Sequence, residues 1–281
     1  MLQDYKGVAE IYFVRRTAVI SLSLSVFVLL AGCSTMSNGR RWGEDVTLTP
    51  GWKKIGESAC NAATSPLVFI PAVAALLLQI DHADERLSDW ASDHTPIAGS
   101  NSRAEQLSKD LRSISSYAFY LSLIATPSGN DLIMWGTSKM KGAAVQGGTV
   151  FLSNQLVNTM KDTVGRERPD KSDDKSFPSG MSSSAAVFTC FAARNINTMN
   201  IPDPAKTGLG MVMHALPYAV AWERVEAKAH YPSDVLAGIS LSYFMVSFFN
   251  ESFMGIDGKM NGMPVVWFNG REVSIDFCWR F

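Results

Sequence analysis

The chain reads as an all-α helical bundle followed by a small C-terminal β-hairpin. Three observations predict this. Apolar residues recur at helical spacing through much of residues 58–250, and helix-start and helix-stop residues punctuate that stretch. A strand–turn–strand pattern is confined to the C-terminus. With 281 residues, 47% of them apolar and 18% charged, the chain can bury one large core or two small ones. Lys+Arg total 25 against Asp+Glu 26, so no global field marks nucleic acid as a partner and any anion site must be local.

The first segment, residues 1–32, reads as an export signal. Lys6, Arg15 and Arg16 supply a positive start, Thr17 to Leu30 form an uncharged, largely apolar run, and small residues follow. The run falls short of the ~20 apolar residues that span a bilayer. Leu30-Ala31-Gly32-Cys33 resembles the bacterial lipoprotein box, which implies cleavage before Cys33 and acylation of that residue. An uncleaved anchor helix is the alternative. Ser34 stands where an inner-membrane retention signal would carry aspartate. In a Gram-negative host, the resemblance therefore implies a lipid-anchored protein of the outer membrane facing the periplasm. Several acyl chains would make that anchoring stable. Setting Cys33 aside leaves Cys60, Cys190 and Cys278, which allow at most one intramolecular disulfide and lack zinc-site spacing.

Residues 33–57 are polar and carry Gly39, Gly43, Pro50 and Gly51, so they read as a tether. Residues 58–250 form the helical domain. Ser58 to Ile80 holds no charge and reads as a buried core helix, with a membrane span as the alternative. Asp81 to Ser102 is charged and turn-rich, and Arg103 to Ala125 is helical, ended by Thr126-Pro127-Ser128-Gly129. Met140 to Val164 reads as a long helix with Leu152, Leu156, Met160 and Val164 on one face, closed by Gly165 and Pro169. Further helices are expected at Ser179 to Ala193, Thr207 to Glu226 and Pro232 to Phe249, the last deeply buried because it is uncharged after Asp234. Residues 251–281 hold the hairpin: Val265 to Phe268 and Val273 to Phe277 flank Asn269-Gly270, a type I′ turn signal.

Three stretches can together build one anion pocket. In Lys161-x6-Arg168-Pro169, two helical turns, ~10 Å of rise, separate the cations. An unwound helix at Gly165 lets the guanidinium fold back toward the ammonium, pairing a point charge with a planar fork. Alone, such residues merely complement a helix C-terminus. In Phe177-Pro178-Ser179-Gly180, Ser179 is a helix cap or, alternatively, a hydroxyl aimed at phosphate, and Gly180 lets the backbone approach an oxyanion. In Arg224-x5-His230-x3-Asp234, a His–Asp hydrogen bond would fix the imidazole tautomer and free the other nitrogen as nucleophile.

In this order, from Lys161 to Asp234, the stretches resemble the three-part signature of the type 2 phosphatidic acid phosphatase / vanadium haloperoxidase superfamily. The resemblance implies a fold and a set of roles. The fold is an all-α bundle. Lys161, Arg168 and Arg224 bind the nonbridging phosphate oxygens, with Ser179 and the Gly180 amide completing the cradle. His230 attacks phosphorus to form a phosphohistidine, and Asp234 orients His230. The partners implied are a phosphorylated small molecule or lipid and, through Cys33, the membrane. The phosphatase branch needs no metal or cofactor, whereas the haloperoxidase branch holds vanadate in the same cradle.

One position departs from the signature: Met181 stands where the family has the histidine that protonates the leaving group. Losing a general acid costs about 10²–10⁴-fold for a poor leaving group. Three readings follow: activity on good leaving groups such as phosphoanhydrides, another donor among His82, His94 and Tyr231, or a phosphate-binding or envelope-scaffold lipoprotein without turnover. A vanadium haloperoxidase ranks below these, because that chemistry uses the same missing histidine.

Overall fold

The computed structural model describes residues 34–255 and, as backbone, two strands near the C-terminus. The described helices are α1 (Gly51–Thr64), α2 (Pro66–Leu77), α3 (Ala83–His94), α4 (Asn101–Ala125), α5 (Leu132–Val164), α6 (Gly180–Thr198), α7 (Asp203–Glu226) and α8 (Pro232–Phe253). Strands β1 (Met263–Phe268) and β2 (Val273–Cys278) pair antiparallel. The Asn269-Gly270 turn, the signal and Cys33 lie outside the described residues, so the hairpin as a unit, and the anchor, stay expectations.

Local chemistry sets the boundaries. Ser65 precedes Pro66 and is pushed to an extended ψ of 133°, which ends α1 and bends the α1–α2 pair by 54°. The Asp131 carboxylate accepts from the amides of Ile133 and Met134, so α5 starts at Leu132 rather than at Met140. It stops at Gly165, whose φ of +59° is a left-handed cap. Helix α6 is central and packs on α4, α5, α7 and α8. The core gathers Phe119 of α4, Val187 and Phe191 of α6, Val225 of α7, and Ile239 and Tyr243 of α8. A Cβ on Gly238 would sit 2.8 Å from the Ser179 carbonyl oxygen, so only glycine lets α8 come this close to the start of α6. That approach brings two of the three sequence stretches together.

The fold corrects three expectations. Residues 33–57 are not simply a tether: Trp42 is 1% exposed and packs on Gly142, where a Cβ would meet its ring at 2.3 Å. Its amide also donates to the Pro127 carbonyl. The indole supplies the apolar surface that the polar composition around it concealed. Ser58 to Ile80 is not one buried helix. It spans the Ser65 break, and α2 buries only Val68, Pro71 and Ala75, while Phe69, Ile70, Leu76, Leu77 and Ile80 are exposed. On α5 the buried stripe is Val145, Thr149, Ser153 and Val157, and Leu152, Leu156 and Val164 face outward. Small and polar side chains allow the closer helix packing there, so the larger residues point away from the core. By contrast α8 is the deeply buried last helix that its lack of charge implies. Among the described residues, α8 is long and apolar enough to cross a membrane, and α1 with α2 would count as one bent span.

Candidate active site

The three stretches meet at one end of the bundle, where α5 ends, α6 and α8 begin, and α7 ends. His230 lies at the centre, 2% exposed. Its Nδ1 is 2.7 Å from the Ser176 carbonyl oxygen. A carbonyl only accepts, so Nδ1 carries the proton and Nε2 keeps its lone pair. Nε2 faces the Arg168 guanidinium at 3.4 Å. Burial pushes the His230 pKa well below the ordinary histidine range, and the charges of Arg224, Arg168 and Lys161 push it further. The ring is therefore neutral at pH 7.

The three cations of the first and third motifs act on this ring through their charges, and Arg168 touches it. The Lys161 stem packs over Gly180, its Cε 3.6 Å from where a Cβ there would sit, and Nζ donates to the Lys175 carbonyl at 2.5 Å. Burial, followed by the charge of Arg168, lowers the Lys161 pKa to about 8. Arg168 donates to the Ala229 carbonyl at 3.1 Å and pairs with Asp173 at 2.5 Å. Arg224 pairs with Glu105 of α4, and its buried Nε has no partner among the described residues. Ser179 is buried at the cap position of α6, but its hydroxyl turns to Ser182, 3.1 Å away, and does not cap the helix. Its amide donates to the Asp234 carbonyl at 3.0 Å.

Asp234 does not touch His230 as the spacing led us to expect. Its Oδ2 is 3.9 Å from Nδ1, because that oxygen already accepts from the Ser176 hydroxyl at 2.5 Å and the Tyr231 amide at 2.9 Å. Its Oδ1 accepts from Arg166 at 2.7 Å. Burial raises the Asp234 pKa, an effect opposed by the Ser176 hydrogen bond and the Arg166 charge. Ser176 thus stands between them, its hydroxyl on Asp234 and its carbonyl on His230.

Met181 is half-buried in the first turn of α6, where Ser184 donates to its carbonyl and Arg112 of α4 donates to Ser184. The three proton-donor candidates are engaged elsewhere. His82 is exposed beside Glu85, His94 stacks on Trp90 with centroids 5.3 Å apart, and Tyr231 lies under Arg166 at 4.1 Å. Sequence reading missed Arg166, Ser176, Glu105 and Asp84. Arg166 sits two residues before Arg168 in the first motif and was within reach of that motif. No pattern near Asp84 marks it as part of a site about eighty positions further along the chain.

Residues 142–254 match the PAP2 superfamily. All three motifs fall inside this PAP2 segment, as do α6, α7, α8 and most of α5. The fold is also similar to that of a solved structure, the first transmembrane PAP2 type phosphatidylglycerolphosphate phosphatase from Bacillus subtilis. The match has a TM-score of 0.50 and 20% identity, covering 66% of this chain and 92% of that one. No curated protein matched the chain. The PAP2 segment begins after α1 to α4, so Asp84, Glu105 and Arg112 reach the site from outside it.

Proposed function

We propose that the chain is a phosphatase that cleaves phosphate monoesters or lipid phosphates and diphosphates through a phosphohistidine at His230. The observation that carries this reading is a buried imidazole whose Nδ1 is held by the Ser176 carbonyl and whose Nε2 faces the Arg168 guanidinium, within reach of the charges of Arg224 and Lys161. Phosphoryl transfer requires positioning and charge stabilisation above all. Lys161, Arg168 and Arg224 would hold the nonbridging oxygens while the Nε2 lone pair attacks phosphorus in line and the P–O bond to the leaving group breaks. Water then attacks phosphorus, and the electrons of the P–N bond return to Nε2. The Ser176 carbonyl holds the Nδ1 proton throughout, and Asp234 offsets the positive charge on the ring. No resident metal or cofactor has a role in these steps.

The match to the PAP2 superfamily and the fold it shares with a lipid-phosphate phosphatase support the reaction class. The lipid anchor expected at Cys33 supports an amphiphilic substrate; the apolar groove of about 600 Å³ lined by Val68, Leu76, Leu241 and Phe244 borders Arg166 and Ser233 and none of the three cations. The lipoprotein box at Cys33 supports attachment to the periplasmic face of the outer membrane. Replacing Cys33 with Ser should abolish lipid labelling and release the protein from membranes.

Met181 favours a second reading, a phosphate-binding or envelope-scaffold lipoprotein without turnover, because no proton donor stands where the family has one. One assay separates the two. Phosphate release is measured from p-nitrophenyl phosphate, a diphosphate and phosphatidate, for wild type, His230→Ala and Met181→His. Hydrolysis predicts that His230→Ala abolishes release and that Met181→His raises activity on alkyl phosphates by about 10²-fold or more. Binding of inorganic phosphate with no release from any substrate selects the second reading.

A further inference from the structure

Behind His230 lies a chain of alternating charges, two buried carboxylates joined by Arg166, of which the phosphate chemistry gives a role to Asp234 alone. Arg166 donates Nη1–H to Asp234 at 2.7 Å and to the Ser233 hydroxyl at 2.9 Å, and Nη2–H to Asp84 at 2.8 Å. Its guanidinium stacks on the Tyr231 ring at 4.1 Å. Asp84, 1% exposed, also accepts from the Ser233 amide at 2.8 Å, from the Ser233 hydroxyl, and from Gln79 at 3.1 Å. Two carboxylates thus share one planar fork, a geometry that guanidinium supports and ammonium does not.

The backbone is strained to deliver Asp84. Asp81 and His82, three and two residues before it, take successive left-handed φ values of 53° and 55°. Non-glycine residues in that region cost of order 1–3 kcal/mol each, and persist where surrounding structure holds them. This turn carries the chain from the end of α2 into α3 with the Asp84 side chain facing inward. The links then run without a gap: Asp84 to Arg166, Arg166 to Asp234, Asp234 to the Ser176 hydroxyl, and the Ser176 carbonyl to His230 Nδ1. The Ser176 amide donates to the Arg166 carbonyl at 2.9 Å, so Arg166 grips the same residue through its backbone.

We propose that Asp84 and Arg166 are positioning residues for His230, acting through Asp234 and Ser176. A helix outside the PAP2 segment therefore holds the nucleophile's ring in place. The claim deepens the phosphohistidine reading and rests on it for its consequence, although the positioning itself can be seen without turnover. Arg166 acts as the joint: its two ends fix two carboxylates, and Asp234, immobilised, keeps the Ser176 carbonyl on Nδ1.

The test is nitrogen NMR of the full chain labelled with ¹⁵N-histidine. With four histidines in the sequence, His230 is assigned by the signal lost in His230→Ala. At pH 7.5 the wild-type ring should show a protonated Nδ1 and an unprotonated Nε2. Asp84→Asn, near-isosteric, and Arg166→Lys, which keeps the charge but loses the fork, should both move these shifts toward the average of the two tautomers. Asp81→Asn, an exposed change in the preceding turn, should leave them in place. In the diphosphate assay, kcat should fall about tenfold or more in both variants, with KM and the Kd for inorganic phosphate changing less than about threefold.

His230 shifts that stay unmoved in both variants overturn the proposal. A phosphate Kd that rises as much as kcat falls also overturns it, since that marks general collapse of the cradle. If the shifts move as expected while wild type releases no phosphate from any substrate, the hydrolytic reading falls and the positioning role stands. If wild type is active and the shifts do not move, the outcome is reversed.

Discussion

The two sides of His230 are built differently. Behind the ring, Arg166 is fully engaged by two carboxylates and a hydroxyl, and those carboxylates are 0% and 1% exposed. In front, the cations rest on makeshift partners: Arg224 on the half-exposed Glu105, Arg168 on the exposed Asp173, and Lys161 on a backbone carbonyl. The two back carboxylates are buried, and they hold Arg166 behind the ring. The front contacts border water, so an arriving anion can take them over at small cost. On the proposed mechanism, a nucleophile kept in place and a cradle that must release and receive a ligand would make these two demands on neighbouring arginines.

The sharpest way to break this contrast is stability. Arg166→Ala would leave two buried carboxylates without their cation, a loss of about 3–5 kcal/mol. Arg224→Gln should cost less than about 1 kcal/mol, because Glu105 can return to solvent. Denaturant unfolding of both variants measures the gap, and equal losses would erase the distinction between front and back.

A smaller effect is expected on binding. Glu105→Gln removes the competitor for Arg224, so the affinity for inorganic phosphate should rise by roughly twofold to fivefold, the scale of an ion pair with one partner at the surface. Isothermal titration detects it. A weaker affinity would mean that Glu105 helps hold the ligand.

The smallest effect concerns pH. Burial and the charge of Arg168 bring the Lys161 pKa down to about 8. Its charged form is therefore lost as pH rises through that value, well below the usual lysine range. Phosphate affinity should decline between about pH 7.5 and 9, and Lys161→Arg, which stays charged, should flatten that decline. A bound anion raises this pKa and moves the decline upward without changing its direction.

Much of the site was legible from one chain because motif spacing and residue chemistry are local. The motifs that carry Lys161, Arg168, Ser179, Gly180, Arg224 and His230 meet at one end of the bundle, although the Ser179 hydroxyl turns to Ser182. The His230–Asp234 bond was expected from the same spacing, and there the structure differs. The Asp234 oxygen that could have met the ring is taken by Ser176, a residue between the motifs with nothing in its neighbours to single it out.

The fold divides in the same way. Helical periodicity, proline and glycine punctuation, and the uncharged run after Asp234 determined an all-α domain and its buried last helix. Which face of each helix turns inward did not follow from hydrophobicity. On α2 and α5 small and polar residues face the bundle while several large apolar ones face out. Close approach, of helix α6 at Gly238 and of the Trp42 ring at Gly142, depends on the partner, and no property of one segment encodes it. The burial of Trp42, the reach of Asp84 to Arg166 and the hold of Glu105 on Arg224 were likewise decided only in three dimensions. Each joins segments far apart in the chain, and an interaction between two distant residues leaves no periodic trace in either one's neighbourhood.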